Sequence, residues 1–318
     1  MSTISLADIE TAHERIRPFV HRTPVLTSKY FDERLKARVF FKAENLQKVG
    51  AFKFRGATNA VFSLSEEEVA RGVVTHSSGN HAQALALAAR TRGARAIIVM
   101  PRTAPAVKLA AVRGYGAEVR LCEPTLEARE AATEEAIRET GAVLIHPFDD
   151  DRIIAGQATA AKELLEEVPD LDLLLAPVGG GGLLSGTALA AHYLSPKTRV
   201  FGGEPAGADD AFHSLAEGRI LPSVAPKTMA DGLLTSLCPR TFSILREHLE
   251  AIVTVGEGEI AAALRLVLER MKTLIEPSAA VPVAALLSGK IETGGKRIGL
   301  VLSGGNVDLD RLPQLLSA

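Results

Sequence analysis

At 318 residues the chain has room for one large or two ordinary domains with a substantial core, so size does not limit the fold. A net charge of −2, with acids and bases interspersed and no basic run interleaved with aromatics, argues against a nucleic-acid partner. Cys122 and Cys238 are too few for a disulfide framework and lack zinc-type pairing, and neither a leader-like N-terminus nor a bilayer-length apolar run is present; the expectation is a soluble cytoplasmic protein with no membrane partner.

Ser5 with Asp8 reads as a capping box opening a helix through Ile16, stopped by Pro18, and His21-Arg22-Thr23-Pro24 as a turn. Residues 38–42 carry the aromatic and β-branched content of a strand. After the Gly50 turn, residues 52–62 fit a helix with Lys53 in its first turn, between Phe52 and Phe54. By its flanks alone Lys53 either snorkels out of an apolar face or is a desolvated amine. In the second case the positive end of the helix dipole lowers its pKa further and makes it available as a nucleophile.

Ser65 with Glu68 is a second capping box. Residues 72–76 read as a strand delivering Ser77-Ser78-Gly79-Asn80-His81 to an Ala/Leu-rich helix, an order that makes an anion-facing turn. Strands at 96–100, 118–121 and 142–145 alternate with helical segments after Pro105 and at 126–140, so residues 72–148 are expected to form a compact βαβ unit.

A helix to Glu167 and a buried strand at 171–176 lead into Gly179-Gly180-Gly181-Gly182 and another helix, a backbone cradle suited to phosphate. It is neither a dinucleotide fingerprint, since Leu184 replaces the third glycine, nor a Walker loop, since Thr187 replaces the lysine. Glu204 and Asp210 bracket a short turn and are either solvated acids or hard-cation ligands. Helices at 258–274 and beyond Pro277 precede a last strand at 298–302, whose end delivers Ser303-Gly304-Gly305-Asn306 where ligands of open α/β sheets bind.

Taken together, Gly50-Ala51-Phe52-Lys53, Ser77-Ser78-Gly79-Asn80-His81, the glycines 179–182 and Ser303-Gly304-Gly305-Asn306 resemble the fold-type II pyridoxal-phosphate (PLP) enzymes, specifically the serine/threonine dehydratases and serine racemases. The resemblance covers nearly the whole chain. It implies two open, twisted, mostly parallel α/β sheets flanked by helices in a tryptophan synthase β-like architecture, with residues 1–71 and 149–318 as the cofactor domain and 72–148 as a smaller mobile domain. Lys53 would carry PLP as a Schiff base beside Phe52, Asn80 would bond its phenolic oxygen, and Gly179, Gly180, Gly181, Gly182 and Leu183 would hold its phosphate. Ser303 would face the ring nitrogen; a hydroxyl, unlike an aspartate, does not hold that nitrogen protonated, which favours elimination and racemisation over transamination.

The same resemblance assigns the substrate carboxylate to Ser77, Ser78, Gly79, Asn80 and His81, with Arg129 at the mouth of the site. It makes Ser78, the racemase-like residue, a second acid/base opposite Lys53. Glu204, the Ala208 carbonyl and Asp210 match a divalent-cation site for Mg²⁺ (or Ca²⁺ or Mn²⁺). His146-Pro147-Phe148-Asp149-Asp150 looks more like dehydratases. Val49 and Ala51 depart from the hydroxyl residues common in relatives, which puts nucleotide activation in question, and the end at Ala318 leaves no room for the regulatory domain of biosynthetic threonine dehydratases.

The expected activity is L-threonine/L-serine ammonia-lyase acting on a small β-hydroxy amino acid in a homodimer. Serine racemase or 3-hydroxyaspartate ammonia-lyase activity, alone or together with it, is the alternative. A catalytically idle binding protein of the same fold is the remote one.

Overall fold

The computed structural model describes residues 4–104 and 106–317. Among them, β1 (Val25–Thr27), β2 (Arg38–Ala43), β3 (Val73–His76), β4 (Ala96–Pro101), β5 (Glu118–Cys122), β6 (Val143–Leu144), β7 (Leu173–Pro177), β8 (Arg199–Pro205), β9 (Ala251–Val255) and β10 (Arg297–Leu302) form two sheets. One has the order β1-β2-β10-β7-β8-β9, the other β5-β4-β3-β6. Only β1 runs antiparallel to its neighbour. Parallel sheets are covered on both faces, so their inner strands read as unbroken apolar runs; β7, buried throughout, is such a strand.

Helices Leu6–Ile16, Asp151–Glu167 and Gly182–Leu194 cover one face of the six-stranded sheet, where Ile9, Leu164 and Leu189 meet Leu174 and Val200. On the other face Leu264 and Val281, from helices Glu257–Met271 and Pro277–Leu287, pack with Phe41, Leu175 and Leu300. A third cluster joins Phe54 and Val61 of helix Lys53–Phe62 to Leu85 and Ile98 of the four-stranded sheet's layer. The helix that begins with Lys53 therefore packs on the core of the small sheet, while the strand before it, β2, lies in the large one. That places Lys53 where the two sheets meet.

Both expected capping boxes are present: Asp8 N donates to Ser5 Oγ and Ser5 N to Asp8 Oδ2, and Ser65 and Glu68 repeat the pattern. The strand expected at 142–145 is shorter, Val143–Leu144. The edge strand β1, β9, and helices Lys29–Leu35 and Pro239–His248 are additions to the sequence reading. For β9 the run Ile252-Val253-Thr254-Val255 carries the strand signal. No helix among the described residues is long and apolar enough to cross a membrane.

Candidate active site

The strand-end turns singled out in the sequence come together. Ser77 follows β3, the glycine loop follows β7, Ser303 follows β10, and the segment bearing Lys53 follows β2. The last two, some 250 residues apart in the chain, are stitched along their backbones: Phe52 N donates to Ser303 O at 3.0 Å, Gly305 N to Gly50 O at 2.9 Å, and Ala51 bridges Gly304. Asn306 Nδ2 adds bonds to Val49 O at 2.7 Å and to Asn80 Oδ1 at 2.9 Å, drawing in the turn after β3.

Lys53 Nζ donates to Pro147 O at 2.9 Å and lies 5.2 Å from the centroid of the Phe52 ring. Burial pulls its pKa down to about 8, with the Glu276 carboxylate opposing. Of the two readings left open by its flanks, the desolvated amine is the one the fold realises. At that pKa far more of the side chain is the free amine at neutral pH than at the ordinary lysine value, and the free amine is what a carbonyl cofactor requires.

Pro147 is followed by Phe148, whose ring lies against the glycine loop; an added Cβ at Gly180 would run into that ring. Gly181 adopts φ +87°, a conformation that favours glycine, and caps helix Gly182–Leu194. The first-turn N–H groups of Gly182, Leu183 and Leu184 have no intrahelical acceptors and add to the positive end of the helix dipole, the chemistry of a phosphate cradle. The carbonyl beside Lys53 and the ring against the cradle thus belong to adjacent residues.

On the small-sheet side, Ser77 Oγ accepts from Gly79 N at 3.3 Å and Ser78 is half-buried, immediately before helix Asn80–Arg92. His81 is buried, with Nε2 bonded to Ile145 O at 3.1 Å. Burial, with the Lys53 charge adding to it, pulls its pKa down to about 3. Its ring is a neutral strut within the fold, so what His81 can offer a substrate is its backbone N–H. Arg129 Nε donates to Thr125 O at 3.2 Å, and its charge, after burial, helps to hold His76 below its ordinary pKa. That puts Arg129 within charge range of His76, the last residue of β3.

One residue of the site escaped the sequence reading. Glu276 is buried at the start of helix Pro277–Leu287 and accepts Asn80 Nδ2 on both oxygens, at 2.9 and 3.0 Å. Burial lifts its pKa to about 7. A signal existed: an acid directly preceding a proline and an unbroken apolar helix is an N-cap carboxylate with no route to water.

A family model for pyridoxal-phosphate dependent enzymes matches residues 16–304. The chain belongs to that family. Serine racemase of Dictyostelium discoideum is 50% identical over 100% of this chain and 99% of its own length. Its crystal structure superposes with a TM-score of 0.94 over 97% of this chain and all of that one. A β-hydroxyaspartate dehydratase of Paracoccus denitrificans is 49% identical, covering 96% of this chain and 97% of the relative. The crystal structure of a T.th. threonine deaminase is 47% identical, with a TM-score of 0.91 over 96% of this chain and 99% of that one. The fold is therefore fold-type II, the protein is an enzyme, and PLP is its cofactor. The residues above fit that cofactor: an amine of lowered pKa, a glycine cradle at a helix N-terminus, and the Ser303 turn stitched beside the amine.

Away from the cleft, Glu204 ends up near the helix that Asp210 opens. Ala211 and Phe212 donate backbone N–H groups to Glu204 at 2.9 and 2.8 Å. Burial lifts Glu204 to about 8 and Asp210 to about 6, and Asp210 Oδ2 is buried with no hydrogen-bond partner. A cavity of about 200 Å³ beside them is lined by Ala208, Asp210 and Ser223. Among the described residues no group of three His, Cys, Asp or Glu side chains could hold a metal, so a cation here would need oxygens beyond these two carboxylates. The orphaned oxygen and the two uncompensated acids fit a hard divalent cation.

Proposed function

We propose that the enzyme acts on small β-hydroxy amino acids that carry only hydrogen or a carboxylate beside the hydroxyl at Cβ, serine and 3-hydroxyaspartate first, both inverting Cα and eliminating the β-hydroxyl to give a 2-oxo acid and ammonia. PLP, when bound, supplies the electron sink that makes the Cα proton removable. The Lys53 amine takes that proton on one face, and the Ser78 hydroxyl exchanges a proton on the other. Gly179, Gly180, Gly181, Gly182 and Leu183 hold the phosphate, Asn80 bonds the phenolic oxygen, Ser303 faces the ring nitrogen and Phe52 packs beside the lysine. Ser77, Gly79, Asn80 and the N–H of His81 bind the substrate carboxylate. Arg129, within charge range of His76 at the end of β3, is the cation for a second one.

The observation that carries this reading is the half-buried Lys53, its amine desolvated and its pKa lowered, joined through Pro147 and Phe148 to a glycine cradle. Ser78 and the relatives named serine racemase and β-hydroxyaspartate dehydratase favour these substrates over threonine. Threonine/serine ammonia-lyase activity remains a second reading, supported by the dehydratase-like His146-Pro147-Phe148-Asp149-Asp150 and the likeness to threonine deaminase. The same proposal includes Mg²⁺ at Glu204, Ala208 and Asp210, a homodimer, and closure of residues 72–148 over the cleft to exclude water. The Lys108–Asp231 ion pair at 2.7 Å, which spans the small-sheet segment and the loop before helix Pro239–His248, supports that closure.

A panel of β-hydroxy amino acids assayed for oxo-acid release and for change of chirality tests the substrate. Serine and 3-hydroxyaspartate should outpace threonine, and Lys53→Ala should abolish both the visible cofactor band and turnover. Full turnover by Lys53→Ala, or activity on threonine alone, would overturn the reading.

A further inference from the structure

Asn80 is held at both ends of its amide. Its Oδ1 accepts from Asn306 Nδ2 at 2.9 Å, and its Nδ2 donates to Glu276 at 2.9 and 3.0 Å. Asn306 is itself fixed, since its Nδ2 also donates to Val49 O at 2.7 Å. Turning the Asn80 amide over would set its oxygen against a carboxylate and its NH₂ against another NH₂, so only one orientation satisfies every group. One N–H shared between the two Glu276 oxygens accounts for both distances and leaves the second N–H free.

The acceptor end is as firmly placed as the amide. Glu276 N donates to Gly304 O at 3.0 Å, and a Cβ on Gly304 would lie 2.7 Å from Glu276 Oε1. The carboxylate therefore rests on the turn that follows β10. The charged groups facing Glu276 are Lys53, Lys108 and Asp231; the last two are paired with each other at 2.7 Å. That leaves Lys53 as the facing charge that changes when its amine joins the cofactor.

We propose that Glu276 is a positioning residue: through the chain Asn306–Asn80–Glu276 it fixes the Asn80 amide and reserves its second N–H for the phenolic oxygen of the cofactor. This rests on the PLP reading. A donor at that oxygen favours its ionised form, so losing the chain moves the bound cofactor toward the form that absorbs in the near ultraviolet.

The test uses the full chain reconstituted with PLP, comparing wild type with Glu276→Leu, Glu276→Gln and Asn306→Ala. The readouts are the ratio of visible to near-ultraviolet cofactor bands and the cofactor dissociation constant. Glu276→Leu and Asn306→Ala, cutting the chain on opposite sides of Asn80, should both shift the bands and weaken retention about tenfold, the range of one charge-assisted hydrogen bond. Glu276→Gln, which keeps a carbonyl for Asn80, should recover most of the visible band. Wild-type spectra and affinity in both chain-cutting variants would overturn the proposal, as would a Glu276→Gln no better than Glu276→Leu. If Glu276→Leu does not fold, Asn306→Ala decides alone. A wild-type chain that stays colourless with PLP would overturn the cofactor reading beneath it, a distinguishable result.

Discussion

Glu44 and Glu163 are as deeply buried as Glu204 and Asp210, yet the two sets of acids meet opposite surroundings. Arg55 donates to Glu44 at 2.7 and 2.8 Å and to Glu163 at 2.8 Å, while Lys42 reaches Glu163 at 2.6 Å. Burial works against the guanidinium, but Glu44 and Glu163 outweigh it and raise its pKa; in return Arg55 holds Glu163 below its ordinary value despite burial. Two cations and two anions close this network within the chain. Around Glu204 and Asp210 the neighbouring charges are acidic, both carboxyls are raised, and one oxygen has no partner. Buried charge that the chain neutralises itself is scaffolding; buried carboxyls that it leaves without a cation have raised pKa values and stay open to one from outside.

The largest effect that could break this contrast is on the closed side. Arg55→Met leaves two buried carboxylates facing one lysine, and should cost about 3–5 kcal/mol in denaturant unfolding. Neutralising Glu44 together with Arg55, which leaves the buried Lys42–Glu163 pair balanced, should recover much of that loss. An equal loss in the double variant would show that packing of the long side chain, not its charge, was being measured. On the open side the expected effect is smaller and conditional. Mg²⁺ at a hundredfold excess over its dissociation constant should add about 2.7 kcal/mol to the wild-type stability. Chelation should remove that gain, and Asp210→Asn should be indifferent to both. Stability unmoved by Mg²⁺ and chelator in the wild type would count Glu204 and Asp210 as a closed pair after all.

The contrast also explains what could be read from the sequence. Asn80, the glycines 179–182 and Ser303 are legible because each lies in or directly follows a small-residue turn at the carboxyl end of a clear strand, a local pattern tied to ligand binding, whereas Lys53 between its two phenylalanines is legible only in company with those turns. Helix starts at Ser5 and Ser65 are legible for the same reason: a capping box is spelled within four residues. Glu276 and the Arg55 network are different, because the partners that complete them, Asn80 and Glu163, lie more than a hundred residues away. Asn80 meets Glu276 across a sequence separation of 196, and Arg55 meets Glu163 across 108. The three-residue edge strand β1 escapes because so short a run carries little period-two pattern. His81, read as a substrate contact from its place in the motif, turns its ring into the fold, since nothing in a motif says which way a helix's second residue faces.

The smallest effect sharpens the comparison at the backbone. Val49 adopts φ +56°, a left-handed conformation unusual for a β-branched residue, and its carbonyl accepts Asn306 Nδ2 at 2.7 Å. Such a residue stores about 1–3 kcal/mol of strain. Its side chain also packs on the cluster around Phe54 and Leu85, and a half-buried valine contributes about 1 kcal/mol there. Val49→Asn, which tolerates the left-handed region but gives up that packing, should therefore stabilise the protein by no more than about 2 kcal/mol. If the strain is imposed by the Asn306 bond, the gain should shrink in an Asn306→Ala background, where the loop is free to relax, and a double-mutant cycle reads the difference. Strict additivity would mean that Val49 is held by its own packing. The strain would then belong to the closed, self-sufficient part of the protein and not to the chain of hydrogen bonds that prepares Asn80 for its ligand.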